Sequence, residues 1–374
     1  MLTARLGAGV ADTDAAQWNA LAGDANPFVG HDFLALLEES ESVGPGTGWS
    51  AAPILIEDDA SRLVGAIPAY LKSHSQGEYV FDQNWADAFE RAGGQYYPKL
   101  QIAAPFSPVP GPRVLARDST VARAALRAVE KLVDGNGLSS AHATFVAPDQ
   151  IALFRDAGWL IRESSQFHWH NRGYADFDAF LASLASRKRK AIRKERAQAQ
   201  AGLVIEHITG DALTGEHWDT FWRFYQDTGA RKWGRPYLTR AAFSMLGERM
   251  ADRLLLILAR RDGEPIAGAL NVIGDERLFG RYWGCSEDVP GLHFELCYYQ
   301  AIEAAITRGL AVVEAGAQGE HKLARGYKPV TTYSAHYIAD TGFRAAIADY
   351  LAVEHDANRR EIEILSQHTP FRKS

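Results

Sequence analysis

The sequence has few cysteines, no long apolar run and no excess of positive charge, and each absence excludes a class of protein. Only Cys285 and Cys297 occur among 374 residues, so we expect neither a disulfide framework nor a cysteine-based metal site. No apolar run reaches the roughly 18 residues that span a bilayer. The N-terminus has no basic segment followed by an apolar core, so no signal peptide is expected. The default expectation is a soluble cytoplasmic protein.

The charge balance argues against a general affinity for polyanions. There are 40 Lys and Arg residues against 46 Asp and Glu residues, a formal net charge of −6. Any site for nucleic acid or an anionic membrane must therefore be a local patch, and no DNA partner is expected. With 47% hydrophobic residues, the chain can form ample core, and its length suits two domains.

One supersecondary pattern occurs twice in the chain. Residues 53–70 and 255–272 each contain an apolar strand, an acidic turn, a branched apolar residue before a glycine, and a second strand. In both halves a further strand, a helix and another strand follow. A repeat sets the architecture before any single residue is interpreted. The pattern predicts two α/β lobes with mixed sheets flanked by helices, residues 1–165 and residues 166–374.

Hydrophobic periodicity places the other elements. Apolar residues at helical spacing predict helices at 32–39, 120–133, 177–200, 218–228, 295–308 and 343–365. Apolar or alternating runs predict strands at 141–146, 204–208, 278–283 and 311–314. Four prolines between residues 104 and 112 exclude a helix there. The second lobe therefore contains a strongly basic helix and a long C-terminal helix.

Four parts of the chain resemble the FemAB-like N-acyltransferase family. They are residues 96–100 with 105–108, residues 186–190, residues 283–285, and residues 316–329. The resemblance spans residues 25–365 and implies two tandem folds of the GNAT N-acyltransferase type in one chain. It also implies amide-bond formation on an amine acceptor. It leaves the donor open, because the better-known relatives use aminoacyl-tRNA to extend peptidoglycan precursors and single-domain GNAT enzymes use acetyl-CoA.

Residues 316–329 are the principal site candidate. They begin where the predicted strand 311–314 ends, and strand ends in α/β layers commonly open into ligand clefts. Acyl transfer to an amine needs a proton acceptor and stabilisation of an oxyanion. The catalytic candidates are Glu320, His321 and Lys322, and the substrate-binding candidates here are Gln318, Arg325, Tyr327 and Lys328. The cations could equally hold a donor phosphate. The alternative interpretation is a solvated glycine loop that caps a strand.

Four further residues outside that segment are candidate substrate contacts: Tyr96, Lys99, Tyr282 and Trp283. Tyrosine and tryptophan combine an apolar body with a polar tip, which suits an amide-bearing acceptor. The alternative for each of them is ordinary packing in the core or beneath a loop.

His168 and His170 alternate around Trp169, which places both imidazoles on one face of a strand. No third ligand follows at a recognised spacing, so no metal site is expected. Cys285 and Cys297 are expected to be buried thiols rather than nucleophiles.

The predicted helix 177–200 contains seven cations between residues 187 and 196. On an acidic protein, such a block is a candidate phosphate-binding face, suited to the backbone of a tRNA or to a nucleotide-linked acceptor. The phosphate-binding candidates are Arg187, Lys188, Arg189, Lys190, Arg193 and Lys194. No aromatic residue is interleaved with them, so base stacking is not indicated. The alternative is a solubilising helix face.

The segment after the predicted strand 278–283 bears on the donor. In GNAT enzymes that use acetyl-CoA, a glycine-spaced loop presents backbone N–H groups to the pyrophosphate at a helix N-terminus. Residues 284–294 lack that spacing and contain Glu287 and Asp288, whose charges would repel a pyrophosphate. This departure from the GNAT pattern favours another donor, such as aminoacyl-tRNA.

The leading hypothesis is an N-acyltransferase of the aminoacyl-transferase class. It would move an aminoacyl group, carried by a charged tRNA, onto the amine of a peptide or cell-wall-type acceptor, with no permanently bound cofactor. One alternative is an acyltransferase that uses acyl-CoA or an acyl-carrier protein. The other is a non-catalytic RNA-binding protein.

Overall fold

The computed structural model describes residues 1–232, 236–316 and 319–372, with side chains throughout except at 229–232 and 320. The strands are β1 (Thr3–Leu6), β2 (Trp49–Ala51), β3 (Ile54–Glu57), β4 (Leu63–Ile67), β5 (Ala69–Lys72), β6 (Lys99–Ile102), β7 (Leu115–Ala116), β8 (Ser140–Val146), β9 (Leu160–His170), β10 (Val204–Ile208), β11 (Leu254–Arg261), β12 (Glu264–Ile273), β13 (Arg277–Cys285), β14 (Val312–Glu314) and β15 (Lys328–Ile338). The α-helices are α1 (Ala15–Ala22), α2 (His31–Glu39), α3 (Gln83–Arg91), α4 (Ser119–Gly135), α5 (Ile151–Asp156), α6 (Phe177–Ser183), α7 (Ser186–Ala199), α8 (Gly215–Lys232), α9 (Arg240–Met250), α10 (Leu292–Phe294), α11 (Gln300–Thr307) and α12 (Thr341–Gln367). A π-helical turn, Glu295–Tyr299, joins α10 to α11, and Glu320–Arg325 forms a 3-10 helix.

The helix predicted at residues 177–200 is broken into α6 and α7. Leu184 takes an extended backbone conformation, with φ −86° and ψ 156°, and its side chain is fully buried. The N–H group of Ala185 donates to the carbonyl of Pro370 instead of continuing the helix. The apolar pattern predicted one continuous helix because apolar side chains of both helices, among them Phe180 and Ile192, pack in the same core.

The described residues form two compact units. Unit 1 contains residues 1–164 and 331–360, and unit 2 contains residues 165–330 and 361–374. The predicted lobes, residues 1–165 and 166–374, stay a prediction, and they did not include the return of residues 331–360 to unit 1. No helix in the described ranges has the length and apolar character that crossing a bilayer requires.

Unit 1 contains the first predicted hairpin. Strands β3 and β4 pair antiparallel within a four-stranded sheet of order β1-β3-β4-β7. The remaining strands of unit 1 belong to a second sheet, in which they follow the order β2-β5-β6-β8-β15. The parallel strands β6 and β8 are joined by a crossover that contains α4. Asp118 caps this helix by accepting from the N–H groups of Thr120 and Val121. The helix buries an apolar face that includes Ala125 and Val129 against the strands.

The sheet face of unit 1 that carries Gln101 and His142 is polar. Lys72 of β5 lies opposite Lys99 of β6, and Gln101 of β6 lies opposite His142 of β8. These four side chains are almost completely buried. Buried polar groups are costly unless they are paired, so this face needs the hydrogen-bond network described below.

Unit 2 contains the second predicted hairpin. Its strands follow the order β10-β11-β12-β13-β14-β9, with β13 and β14 parallel and the other pairs antiparallel. Side chains from α6, α11 and the strands form its core, including Phe180, Leu255, Ile302 and Val313. The crossover from β13 to β14 passes through α10, the π-helical turn and α11. This crossover places a helical segment directly after β13, where the candidate site lies.

Candidate functional site

The candidate site of unit 2 lies where two parallel strands part. Strands β13 and β14 pair from Arg277 and Val312 to Phe279 and Glu314. Strand β14 then ends, whereas β13 continues to Cys285. A cavity of about 120 Å³ opens there, lined by Ala269, Leu270, Asn271, Gly280, Arg281, Tyr282, Trp283, His293, Cys297, Tyr298 and Ala315. In α/β folds, ligands commonly bind beyond the carboxyl ends of parallel strands.

Strand β13 bulges at this cavity. Leu270 of β12 pairs with Tyr282, but the next residue, Asn271, pairs with Gly280, so β13 has one more residue than β12 between these pairs. A bulge bends the strand and re-aims its side chains, and bulges are frequent beside active sites. Here the bulge falls among the residues that line the cavity, which include the predicted contacts Tyr282 and Trp283.

His321 stands beside one wall of this site. Its Nε2 lies 3.1 Å from the hydroxyl of Tyr298, which lines the cavity, and its ring lies near that of Phe294. Partial burial, together with the nearby charges of Arg325 and Lys322, lowers the pKa of His321. The imidazole is therefore uncharged at neutral pH and chemically able to accept a proton.

Lys322 is turned toward the backbone of its own segment. Its Nζ donates to the carbonyl oxygens of Ala315 and Gly316, at 2.5 Å and 3.0 Å, and the residue is buried. Burial lowers the pKa of Lys322 to about 8. The ammonium group therefore fixes the turn that follows β14. Its predicted catalytic role stays a prediction.

Arg325 connects the segment to the basic helix. Its Nη1 donates to the carbonyl of His321 at 2.8 Å, and its Nη2 donates to Glu195 of α7 at 2.5 Å. Its guanidinium lies 3.6 Å from the ring centroid of Phe294, a cation–π contact. Arg325 thus positions the 3-10 helix against α7.

The other residues predicted in this segment differ in their exposure. Tyr327 is fully buried and its hydroxyl has no hydrogen-bond partner among the described residues. Lys328 is half-buried and its Nζ lies 5.6 Å from the ring centroid of Phe371. Gln318 lies outside the described residues, as does the side chain of Glu320.

Sequence reasoning missed a set of buried polar residues at the same strand ends. Glu314 accepts from Arg277 at 2.6 Å through Oε1, and its Oε2 has no hydrogen-bond partner among the described residues. Burial raises the pKa of Glu314 to about 7. His168 of β9 lies across the ladder, with Nε2 3.8 Å from Oε2 and 3.2 Å from Gln166 Oε1. Burial lowers the pKa of His168 to about 3, so this imidazole is neutral.

The polar set had a signal in the sequence. Glu314 is the one acidic residue of an apolar strand and is separated from the principal segment by Ala315 alone. Asn271 likewise interrupts an apolar run. The alternation around Trp169 indicates only that His168 shares a strand face with His170. An unpaired buried polar atom costs about 1–3 kcal/mol. A polar residue in a buried strand beside a site segment is therefore a functional candidate.

The basic helix α7 presents most of its cations to solvent. Arg187, Lys188, Lys190, Arg193 and Lys194 are exposed, and Arg189 is half-buried. Within the described residues, only Arg193 of these six forms an ion pair, with Asp178 at 2.8 Å. Ile192 and Ala199 dock the helix on the core. The exposed charges form a surface on which phosphates can bind.

Tyr96 and Lys99 lie in unit 1, whereas the other predicted site residues lie in unit 2. Both are fully buried, and the Tyr96 hydroxyl donates to Asp82 at 2.7 Å. Lys99 donates to Ser75 and Glu78, each at 2.8 Å, and pairs with Asp82. Their side chains are thus held by protein partners, and their assignment to substrate binding stays a prediction.

The two cysteines are half-buried rather than fully buried, and Cys297 lines the cavity. They were expected in the interior because free cysteine behaves as a small hydrophobe. The partial exposure of Cys297 follows from its place in the cavity wall.

Comparison with protein-family models identifies one family for this chain. A family model described as FemAB-like, peptidoglycan biosynthesis/recognition, matches residues 9–373. No protein with a curated description matches the chain by sequence. The fold is similar to the C-terminal domain of a putative lysylphosphatidylglycerol synthetase from Agrobacterium fabrum, with a TM-score of 0.57, 10% identity, and coverage of 90% of this chain and 95% of that one.

Two further solved structures are similar. FemX has a TM-score of 0.54 and 12% identity, with coverage of 90% of this chain and 98% of that one. L-PGS from Bacillus licheniformis has a TM-score of 0.52 and 10% identity, with coverage of 94% and 99%. At such identities the likeness shows the fold.

Proposed function

This chain belongs to the FemAB-like family, and on that premise we propose that it is an N-acyltransferase that moves an aminoacyl group onto an amine. The proposed donor is aminoacyl-tRNA, and the proposed acceptor is the amine of a peptide or cell-wall-type precursor. The observation that carries the proposal is the cavity at the parting of β13 and β14, where a strand bulge, aromatic side chains and titratable groups converge. The names of similar structures, FemX and a lysylphosphatidylglycerol synthetase, support aminoacyl transfer.

The reaction requires that the amine and the aminoacyl ester be held together and that protons be transferred as the amide forms. The amine nitrogen attacks the carbonyl carbon of the aminoacyl ester, the C–N bond forms, and the C–O bond to the tRNA ribose breaks. Holding two reactants in a closed geometry can contribute about 7–11 kcal/mol to lowering the barrier. The cavity walls, with Tyr282 and Trp283 on one side and Tyr298 on another, would hold the acyl group.

The cations of α7 support a polyanionic donor. Their exposed positions leave them available to phosphates, and Arg325 ties the same helix to the segment that contains His321. The loop between β13 and α10 carries Glu287, which pairs with Arg261, and Asp288, so it offers carboxylates where a pyrophosphate would need N–H donors. Both observations favour a tRNA over an acyl-CoA.

The decisive experiment offers the purified protein labelled aminoacyl-tRNAs or labelled acyl-CoAs, together with lysine-containing peptides as acceptors. We expect amide product from one or more aminoacyl-tRNAs and none from acyl-CoA. Product from acyl-CoA alone would replace the proposed donor. Salt-sensitive RNA binding without transfer from any donor would favour the non-catalytic RNA-binding alternative.

A charge variant tests the docking helix separately from the chemistry. The substitutions Lys188→Gln, Lys190→Gln and Lys194→Gln together should raise KM for aminoacyl-tRNA and reduce its salt dependence. They should leave transfer from 3′-aminoacyl-adenosine, which has no tRNA body, unchanged. The matched control replaces three exposed cations of α4, as Arg123→Gln, Arg127→Gln and Lys131→Gln. This control variant should change neither the KM for aminoacyl-tRNA nor its salt dependence. Equal effects of both triple variants would contradict a tRNA surface on α7.

A further inference from the structure

Helix α4 leaves one strand of the four-stranded sheet of unit 1 uncovered. Val121 of the helix packs in one core with Ile54 and Ile56 of β3. Strand β1 lies beyond β3 at the edge of this sheet, and all four of its residues are exposed. The apolar face of the sheet therefore continues past the helix to the protein surface.

A groove of about 710 Å³ lies between β1 and α4. Ala4 pairs with Ile56 and Leu6 pairs with Ile54, so these four side chains share one face of the sheet, and all four residues line the groove. Leu2 lines it as well. Leu2 and Leu6 are 36% and 50% exposed. A contiguous apolar patch on a protein surface commonly marks an interaction site.

The charged residues that line this groove are cations. They are Arg5, Arg127 and Lys131, and none of the described lining residues is acidic. Arg5 precedes Leu6 in β1, so its side chain lies on the other face of the sheet, where it pairs with Glu57 at 2.7 Å. Arg127 and Lys131 are exposed and lie one helical turn apart on α4. The chain as a whole has a net charge of −6, so a cationic lining is a local feature.

The acidic residues of α4 are held on another flank of the helix. Glu130 accepts from Trp159 Nε1 at 2.9 Å, and Asp134 accepts from the hydroxyl of Tyr337 at 2.9 Å. The rings of Trp159 and Tyr337 also contact each other. Neither acid is among the described residues that line the groove. Helix α4 therefore directs cations to the groove and its carboxylates to other partners.

We propose that the groove between β1 and α4 is a membrane-docking surface for a bilayer that contains anionic phospholipid. Leu2 and Leu6 contact acyl chains, and Arg127 and Lys131 contact head-group phosphates. The interface of such a bilayer offers apolar chains beside negative charge, which is the complement of this surface. The proposal is independent of the donor and the acceptor proposed above, because docking requires neither.

Helix α7 of unit 2 is the competing surface for an anionic bilayer. It exposes more cations than α4, but its large apolar residue, Ile192, is buried, so it offers phosphate contacts alone. Salt screens attraction between exposed charges, whereas it does not weaken the burial of apolar side chains. Docking through β1 and α4 should therefore persist in part at high salt.

Flotation with lipid vesicles tests the proposal. The vesicles contain phosphatidylcholine alone, or equal parts of phosphatidylcholine and phosphatidylglycerol. We expect wild type to float with the mixed vesicles only. Arg127→Gln with Lys131→Gln should lower the partition coefficient roughly 30-fold, since each basic residue near an anionic surface contributes about fivefold. Leu2→Ser with Leu6→Ser should lower it by on the order of tenfold and remove the binding that resists salt.

The matched control replaces two exposed cations elsewhere in unit 1, as Arg91→Gln with Arg155→Gln. It makes the same change in net charge and should float like wild type. Circular dichroism confirms that each variant is folded. Assays of aminoacyl transfer contain no lipid, so the substitutions in α4 can still serve there as a control for the tRNA surface.

A fluorophore that responds to its surroundings locates the contact. It is attached through Leu6→Cys or, on the exposed face of α7, through Ala191→Cys, in a protein whose Cys285 and Cys297 are replaced by serine. With mixed vesicles, emission from position 6 should shift to the blue, and emission from position 191 should not. The opposite pattern would assign the bilayer to α7 and overturn the proposal.

Three further outcomes would overturn the proposal. The first is a wild-type protein that floats with neither kind of vesicle. The second is an equal loss of flotation in the α4 double variant and in its control, which would show attraction by net charge alone. The third is a wild-type dimer that does not bind vesicles and that Leu2→Ser with Leu6→Ser dissociates, since a second copy of the chain would then occupy the groove.

Discussion

At the scale of single residues, two histidines in the interior of unit 1 share a hydrogen bond. The Nδ1 atoms of His142 and His336 lie 2.7 Å apart, so one must carry the proton and the other must accept. Tyr96 and Ser140 contact His142 on its other nitrogen, and Ser334 contacts His336. Burial lowers the pKa of His142 to about 3 and lowers that of His336 well below its usual value. Both rings are therefore neutral in the folded protein.

This pair should make unit 1 sensitive to acid. Between the usual histidine pKa of 6.5 and a value of about 3, the unfolded chain binds protons that folded His142 does not. The free energy of unfolding therefore falls as the pH is lowered through that window, by ~1.4 kcal/mol per pH unit for each such histidine. In His336→Gln the slope should be shallower by about that amount, as measured by urea unfolding at several pH values.

The slopes of wild type and His336→Gln must be compared because Glu78 has the opposite effect on how the free energy of unfolding changes with pH. Burial raises the pKa of Glu78 to about 7, so part of its effect falls in the same window. The exposed His368, substituted by glutamine, serves as the control and should leave the slope unchanged. Identical slopes for wild type and His336→Gln would refute the neutral-pair interpretation.

Lys99 provides a second residue-scale prediction. It pairs with both Glu78 and Asp82, and none of the three side chains is more than 3% exposed. Removing one partner of a buried ion pair leaves an uncompensated charge, so Lys99→Met should lower the free energy of unfolding by about 3–5 kcal/mol. Lys72→Met is the matched control. Burial lowers the pKa of Lys72 to about 7, and it lies farther from Glu78, at 3.9 Å, so its loss should be smaller.

Chemical denaturation of the two lysine variants makes this measurement. Together with the KM for the acceptor, it also distinguishes a structural role of Lys99 from the substrate-binding role that the sequence predicted. A variant with unchanged stability but a raised KM for the acceptor would favour substrate binding over the structural role inferred from its burial.

At the scale of elements, α8 packs against β13 at a glycine. A Cβ atom at Gly284 would lie 2.2 Å from the carbonyl oxygen of Phe224, which is backbone and cannot rotate away. Gly284→Ala should therefore push α8 from the strand and lower the free energy of unfolding by about 1–3 kcal/mol. Gly215→Ala, at the first residue of the same helix, meets no atom within 4 Å and should be neutral or slightly stabilising.

Thermal unfolding of the two glycine variants provides the measurement. Because Gly284 lies next to Trp283, which lines the cavity, the destabilised variant should also lose activity. Equal melting temperatures for the two variants would show that α8 can move without loss, against the close approach inferred here.

The elements also show which helices and strands hydrophobic periodicity predicts correctly. Helix α4 and strand β14 lie close to where apolar spacing predicted them, because each buries a regular apolar face or run. Strand β10 also lies at the predicted position, although only Ile208 of this strand is buried and Val204 is exposed. Strand β6 and helix α9 were not predicted. Strand β6 carries Lys99 and Gln101 between apolar residues, and both polar side chains are buried, so its pattern resembles that of a solvent-facing strand.

At the scale of the whole molecule, the predicted family and fold class are confirmed. The chain belongs to the FemAB-like family, and it has a mixed α/β architecture in which sheets are flanked by helices. The resemblance depended on short segments spread over nearly the whole sequence. Those segments include the ends of β13 and β14, where the cavity of unit 2 lies.

Unit 1 is built from two distant parts of the chain, and this gives the last prediction. Strand β8 pairs with β15, with Ala143 opposite Ala335, and Trp85 and Tyr96 pack with Ile347 and Leu351 of α12. Residues 1–164 alone should therefore lack cooperative unfolding, since these apolar and polar groups would be exposed. Joining residues 331–360 to them through a flexible linker should restore it, as measured by denaturant titration. Cooperative unfolding of residues 1–164 alone would contradict the need for the returning segment.

The sequence by itself determined the repeated hairpins, most helices, the basic surface of α7 and the family, because each depends on local spacing or on short motifs. Only the tertiary structure decided that Glu314 and His168 face each other, that Lys99 and Tyr96 are enclosed by their own partners, and that residues 331–360 complete unit 1. Periodicity tells which side of a strand is buried, but it does not tell which distant strand lies next to it. Whether a buried polar side chain is paired or left open to a ligand depends on that neighbour.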